Sequence, residues 1–288
     1  MRRCDTYTGQ ITLDAEGWVV EDAFASPPLI VVLSPHPDDA VFSAWDVLRR
    51  GRQVVVITVF AGIPAPGFVT PLDKMHGASE SAAWAARRRQ EDEAAISSAG
   101  CGLVHADLLD LGYRLHAVPK LRAVAGSEPD GLLAVGRRET AIRIGLDVID
   151  AAIGARIERD MLVYVPAGIG AHPDHQDVAR YGVDLARRGQ RVRLYADSPY
   201  YLRHGLPSWF APRPNPEADE AVKAALDNLG VDEQQLSRNA VRLSEEAITA
   251  KMAAMRAYLT EFEAIDADFG GIASDADHMR YETYWAVS

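Results

Sequence analysis

The chain contains two near-repeats of metal-binding and proton-moving side chains: Ser34-Pro35-His36-Pro37-Asp38-Asp39-Ala40 and Gly170-Ala171-His172-Pro173-Asp174-His175. Each follows a β-branched apolar run, Leu29–Leu33 and Met161–Val165. Each also precedes a helical pattern that closes on Arg-Arg-Gly, at Gly51 and Gly189. Two such corners bring imidazoles and carboxylates to the ends of two strands, which is how an α/β protein assembles a site from distant sequence.

His36 and Asp39 are three residues apart at the first corner, a spacing that puts both on one face. Pro37 restricts the backbone of His36. Asp38 and Asp39 fall in an expected first helical turn, where the helix dipole favours ionised carboxylates. His175 on the second corner completes a His-Asp-His set, and three ligands with one open position for water describe a catalytic zinc site. Fe2+ or another divalent ion suits the same donors. One corner alone reads as a turn with a capping aspartate; two corners of the same strand–loop–helix form point to metal. Asp38 lies between the ligands in sequence and is the expected general base, taking a proton from a water that the metal has acidified. His172, three residues before His175, faces the same site. As an imidazolium held by Asp174 it stabilises an oxyanion or protonates a leaving amine. Asp174 reads equally as a plain helix cap.

Positioning these groups requires alternating strands and helices. Strands are expected at Leu29–Leu33, Val54–Phe60, Val104–Leu109, Met161–Val165 and Val192–Tyr195. Helical patterns cover Asp39–Arg50, Ser79–Ala99, Glu139–Arg159, Asp177–Arg188 and Glu245–Glu263. The fold class is therefore α/β: a Rossmann-like, mostly parallel sheet with helices on both faces and the site at the C-terminal strand ends. No linker divides the chain, so 1–288 reads as a single domain. Two Pro-rich loops, Ile63–Met75 and Pro199–Pro216, are expected to border the site and to admit more than a free monosaccharide.

With 30 basic and 41 acidic side chains the net charge is −11, which argues against nucleic acid or an anionic membrane as partner. A neutral or cationic small molecule suits that field better. No apolar run approaches membrane-spanning length, so no membrane insertion is expected. The start, Met1-Arg2-Arg3-Cys4-Asp5, is not followed by the apolar stretch of a secretion signal. Cys4 and Cys101 are isolated from one another, as in a protein of the reducing cytoplasm. A dinucleotide enzyme is disfavoured because no G-x-G-x-x-G follows the first strand.

The residues from Ser34 to Ser43 resemble the PIG-L/LmbE-like metal-dependent N-deacetylases. So do Val59-Phe60-Ala61-Gly62-Ile63-Pro64, Arg88-Arg89-Gln90-Glu91-Asp92, Gly168 to His175, and Tyr195-Ala196-Asp197-Ser198-Pro199-Tyr200. These enzymes deacetylate N-acetylglucosaminyl groups in GPI-anchor, mycothiol and bacillithiol synthesis and on some antibiotics. The resemblance implies a metal on His36, Asp39 and His175, Asp38 as base and His172 as electrostatic helper. It further implies a zinc-dependent hydrolase that removes an N-acetyl or related N-acyl group from an amino-sugar moiety of a small-molecule glycoside. Many members have Glu where this chain has Ala40, and the Ser-Pro-His-x-Asp-Asp-Ala form looks more like glycopeptide-antibiotic sugar deacetylases. Mycothiol-type members often carry Tyr at the position of Gly170, and Tyr-Arg-Asp-Ser where this chain has Tyr113-Arg114-Leu115-His116. Both departures argue against a mycothiol-type substrate. A binding module that uses its metal only to hold a glycan is the contrasting reading, disfavoured by the two imidazoles and by the additional acid Asp38.

Arg88 stands four residues from Asp92 and three from Glu91, the spacing of helix-surface ion pairs. The resemblance instead places it near the sugar, where its fork matches hydroxyl and phosphate geometry. His76, in the Pro-rich loop after the second strand, reads first as a solvated histidine, with a place at the site mouth as the other reading, and His105, His116, His204 and His278 read as structural. Tyr200, Tyr201, Trp209 and Phe210 read as loop packing, with stacking on a sugar face as the other role such loops take.

Overall fold

Ile30–Ser34 and Leu162–Pro166 are buried along their whole length, as strands covered on both faces must be. The computed structural model of the chain describes Thr12–Leu13, Val19–Glu21, 29–120 and 143–287. Its main strands are β1 (Ile30–Ser34), β2 (Val54–Thr58), β3 (Gly102–His105), β4 (Leu162–Pro166), β5 (Arg191–Tyr195), β6 (Ser237–Arg242) and β7 (Tyr281–Val287). They lie in the order β3-β2-β1-β4-β5-β7-β6. The first five are parallel, while β7 runs antiparallel to both of its neighbours.

Helices α1 (Asp39–Ser43) and α2 (Trp45–Leu48) join β1 to β2, and α3 (Pro71–Met75) and α4 (Ser81–Ser98) join β2 to β3. Between β3 and β4 lie α5 (Leu111–His116) and α6 (Leu146–Ile153). Helix α7 (Pro173–Arg187) joins β4 to β5, and α8 (Pro216–Asn228) follows β5. Helices α9 (Glu245–Met255), α10 (Phe262–Asp268) and α11 (Ala276–Met279) lie between β6 and β7. The chain runs one way along the sheet from β1 to β3 and the other way from β4 to β5. Right-handed crossovers therefore place α1, α2 and α4 on one face and α7 on the other. Helix α9 joins the first layer by packing on α1, α2 and α4. Helix α7 lies on β4 and β5, and Gly182 allows the close approach: a Cβ there would stand 2.4 Å from Val165. The order reverses between β1 and β4, which opens a crevice at their C-terminal ends.

The expected architecture holds, with shifted boundaries. The helix expected over Asp39–Arg50 breaks at Ala44 (φ −136°, ψ 34°). The break frees the N–H groups of Trp45 and Asp46, which donate to Glu282 Oε1 and Oε2 at 2.9 Å each. Lys251 Nζ, fully buried, stands 2.8 Å from the same carboxylate. Helix α7 begins at Pro173 rather than Asp177, because proline suits the first helical position and His172 caps it. The expected strand Val104–Leu109 begins two residues earlier and ends at His105. Of the helix expected over Glu139–Arg159, residues 139–142 lie outside the described residues and the helix observed is Leu146–Ile153. The helix expected to run to Glu263 stops at Met255, because Tyr258 and Thr260 turn aside to bond Asp92 and Glu91. Strands β6 and β7 and helices α8 and α10 were not expected. Ser237–Arg242 is a largely polar edge strand, and Tyr281–Val287 interrupts its aromatic run with the buried Glu282.

Candidate active site

The two corners meet at the switch point. Ser34 Oγ donates to the His36 carbonyl and accepts from Ala40 N–H, closing the first corner. Among the described residues, the non-glycine positions with positive φ are Asp38 (φ 108°) and Ala171 (φ 58°), one at each corner. Strain of this kind costs about 1–3 kcal/mol per residue and gathers at functional sites. Asp38 is the N-cap of α1 by position, yet its side chain makes no capping bond. It is directed into the pocket instead.

His36, Asp39 and His175 converge. Asp39 Oδ2 is 3.3 Å from His36 Nδ1 and 3.2 Å from His175 Nε2, and it accepts the His36 backbone N–H at 2.8 Å. Ligand atoms 2.0–2.1 Å from one tetrahedral ion stand about 3.3 Å from each other, so this spacing fits a shared divalent metal. The far nitrogen of each ring is held by a buried carboxylate. His36 Nε2 is 3.0 Å from Asp174 Oδ2, and His175 Nδ1 is 2.7 Å from Asp197 Oδ1. A carboxylate that accepts the outer N–H fixes the tautomer and turns the inner lone pair toward a common point.

Asp174 itself is fixed by the Leu111 N–H at 3.0 Å and by Arg114 at 2.6 Å. Asp197 accepts the Ile169 N–H at 3.0 Å. Asp110, the cap of α5, adds a second carboxylate 3.5 Å from His36 Nε2. Neither Asp174 nor Asp110 was expected in this place, and Asp197 was quoted only within a motif. The one available signal was positional: Asp197 and Asp110 both stand just past the C-terminal ends of parallel strands.

Charge makes the case from another direction. Burial alone would lower the His36 pKa, but bonds to Asp174 and Asp39 and the charge of Asp110 hold it well above its ordinary value. His175 resists burial in the same way and is raised to about 9 by Asp39 and Asp197. Asp39 is buried, yet both histidines hold its carboxyl far below the usual range. Without an ion the imidazoles take up protons to balance the carboxylates, and a bound dication performs that balance directly. Asp38 moves the opposite way. Burial and the Asp39 charge raise its pKa well above the ordinary value, with Arg88 only partly opposing.

His172 joins the cluster, its donor atom lying within 4.8 Å of those of His36 and His175. Its expected partnership with the Asp174 carboxylate is not found. The Asp174 backbone N–H donates to His172 Nδ1 at 3.2 Å, while the carboxylate faces His36 and Arg114. Nδ1 is thus an acceptor, and Nε2 carries the proton of a neutral ring. Burial and the His36 charge lower the His172 pKa well below its ordinary value, again favouring neutral imidazole over the expected imidazolium. His172 is built as a hydrogen-bond donor.

The pocket encloses about 1020 Å³, with solvent at its mouth included. Arg88 lines it and faces Asp38, Asp110 and Glu261, whereas Arg87 makes the helix-surface pair with Glu91. Of the two readings of His76 the structure takes the second: it lines the pocket, 3.2 Å from Glu261, and is not a solvated loop histidine. The far wall comes from Glu261 and α10, which carries Ala264, Ile265 and Asp268 and ends at Phe269. Both expected loops reach the rim, through Leu72 and through Pro199 and Tyr200. Trp209 and Phe210 instead pack on Trp285 and Tyr281. His105 bonds Asp92, and His116 stacks on Phe68. Gly170 (φ +85°) lies under Tyr200, whose ring a Cβ would meet at 2.3 Å.

Fold and site together define a metal-dependent hydrolase of the α/β class. The family model of PIG-L, GlcNAc-PI de-N-acetylase, matches residues 31–186, more than half of the chain, and the chain belongs to that family. It is a metal-dependent N-deacetylase. Among solved structures it is similar to a deacetylase of the antimicrobial A40926 pseudoaglycone, with 28% identity and a TM-score of 0.58. That likeness covers 89% of this chain and 96% of the other. A deacetylase of the teicoplanin biosynthesis pathway is 25% identical with a TM-score of 0.60, covering 90% and 97% respectively. Curated protein sequences gave no match. Among the described residues no helix is long and apolar enough to cross a membrane.

Proposed function

We propose that the whole chain forms one deacetylase domain that removes an N-acetyl or related N-acyl group from an amino sugar carried on a small-molecule glycoside. It acts in the cytoplasm, in secondary-metabolite biosynthesis. His36, Asp39 and His175 hold the divalent ion, with zinc the first choice for two imidazoles and one carboxylate. The carrying observation is the pairing of each ligand imidazole with a buried carboxylate, Asp174 for His36 and Asp197 for His175. A binding module has no need of Asp38, a buried acid left without a capping task.

When bound, the ion supplies Lewis acidity at the acyl carbonyl and acidifies a water. Asp38 takes the proton from the attacking water and returns it to the amine nitrogen as the C–N bond breaks. His172 Nε2–H donates to the carbonyl oxygen as that atom gains charge. Arg88 reaches hydroxyls of the sugar. The two relatives are named for the A40926 pseudoaglycone and for the teicoplanin pathway, which supports a glycoside with a large aglycone.

The test is to incubate metal-loaded protein with a panel of N-acyl glucosaminides, following acylate release by mass spectrometry. Turnover is expected to rise with the size of the aglycone, since remote binding energy acts at the reacting centre. Metal analysis of His175→Ala accompanies it: full occupancy in that variant would refute the ligand assignment.

A further inference from the structure

Arg88 is surrounded by acids. Its guanidinium nitrogens lie 3.7 Å from Asp38 Oδ2, 3.8 Å from Asp110 Oδ2 and 3.5 Å from Glu261 Oε1. All three distances exceed ordinary hydrogen-bond length, and Arg88 Nε is buried without a hydrogen-bond partner. The positive charge is therefore shared among three carboxylates while a donor is left unspent.

Glu261 does not drift into this position. Glu91 Oε2 accepts both the N–H and the hydroxyl of Thr260, at 3.1 and 2.6 Å. The Tyr258 hydroxyl donates to Asp92 Oδ1 at 2.8 Å. Helix α4, which carries Arg88, thus pins the segment that presents Glu261 opposite it. The Glu261 side chain is only 12% exposed, and His76 Nδ1 and Trp84 Nε1 hold it at 3.2 and 3.4 Å. Asp268 adds a further acid at the pocket, and Arg88 is the lone lysine or arginine among its described lining residues. Asp110, Glu261 and Asp268 face only Arg88 and a His76 that contributes at most one proton, so this wall is negative whether or not Asp38 is ionised.

We propose that Glu261 sets the charge selectivity of the pocket: by neutralising Arg88 together with Asp38 and Asp110, it admits hydroxylated or amine-bearing glycosides and turns away phosphorylated or carboxylated ones. The inference rests on the reading that Arg88 faces the sugar of a deacetylase substrate. A hydroxyl can donate to Glu261 or Asp110 and accept from the Arg88 guanidinium. A phosphate meets the same carboxylates with no cation of this wall left to answer it.

The experiment uses metal-loaded full-length enzyme with two probes, methyl N-acetylglucosaminide and N-acetylglucosamine 1-phosphate. Acetate release gives kcat/KM, and calorimetry gives affinity. The wild-type enzyme is expected to favour the methyl glycoside by at least about tenfold, the scale of an unrelieved like-charge contact. Glu261→Gln should shrink that ratio about tenfold, through tighter binding of the phosphate. Glu263→Gln, an exposed acid two residues on, should leave the ratio unchanged. Any phosphate contact with the metal is common to all three proteins and cancels in the comparison. A wild-type ratio near one, or a Glu261→Gln ratio equal to that of wild type, would overturn the proposal. Should Glu261→Gln fold poorly, Glu261→Ala supplies the same comparison, in which the metal contact again cancels. Absence of turnover with both probes would count against the proposed function, while the affinity ratio would continue to judge the selectivity.

Discussion

Asp197 Oδ1 sits 2.7 Å from Nδ1 of His175, on the side of the ring away from Asp39. The two residues lie at the ends of different crossovers, yet this contact decides which imidazole nitrogen is free for metal. Asp197→Asn removes the charge and permits the wrong tautomer. It is expected to cost about 10–100-fold in metal affinity or activity, as outer partners of ligand histidines do. Competition against a chelating dye measures it, and unchanged affinity with unchanged kcat would show that the contact is incidental.

Asp38→Asn should keep its metal and lose about two to four orders of magnitude in kcat, the range of a positioned proton-transfer group. Metal content by atomic emission, read beside kcat, separates base from ligand. Loss of metal in Asp38→Asn with retention in Asp39→Asn would mean that the two roles are exchanged.

His172→Ala should also keep metal while kcat falls about 10²–10³-fold, the effect of deleting one oxyanion donor. Glutamine restores an N–H near Nε2 and should recover part of the rate. Equal activity of the Ala and Gln variants would remove the hydrogen-bond role.

Gly170→Ala brings a Cβ within 2.3 Å of the Tyr200 ring at a φ of +85°. Strain and overpacking together should lower stability by about 1–3 kcal/mol. Denaturant unfolding of the metal-free protein checks the loss, and KM should rise because Tyr200 lines the pocket. Wild-type stability in the variant would show that the ring moves freely.

The His76–Glu261 pair carries a pH signature. Its hydrogen bond to Glu261 raises the His76 pKa above the ordinary value against the opposing effect of burial, Arg88 also opposing and Asp73 assisting. The folded state therefore binds more protons than the unfolded chain between 6.5 and the raised pKa. The stabilisation is complete below about pH 6.5 and is lost as pH rises through the folded value. His76→Asn should flatten this part of the stability profile. A slope identical to that of wild type would assign it elsewhere.

Much of the candidate site could be read from residue order, because the proposed ligands sit on two local corners. His36, Asp38 and Asp39 needed only an apolar run, a proline and a helix start, and His172 and His175 repeated that pattern. The alternating β-branched runs fixed the parallel sheet, since strands buried on both faces admit little but Val, Ile and Leu. What the sequence could not contain was who answers each polar group across the fold. The break at Ala44 depends on Glu282, 237 and 236 residues from the two N–H groups it accepts. The carboxylate of Asp174 turned to His36 and Arg114 rather than to its neighbour His172, because burial leaves a charge to find the strongest partners in space. Glu261 gave no local signal at all: it became a pocket residue only when Tyr258 and Thr260 docked on α4. Covalent order determined which chemistry was present and on which strand ends; packing decided the protonation, the tautomers and the charge that a substrate meets.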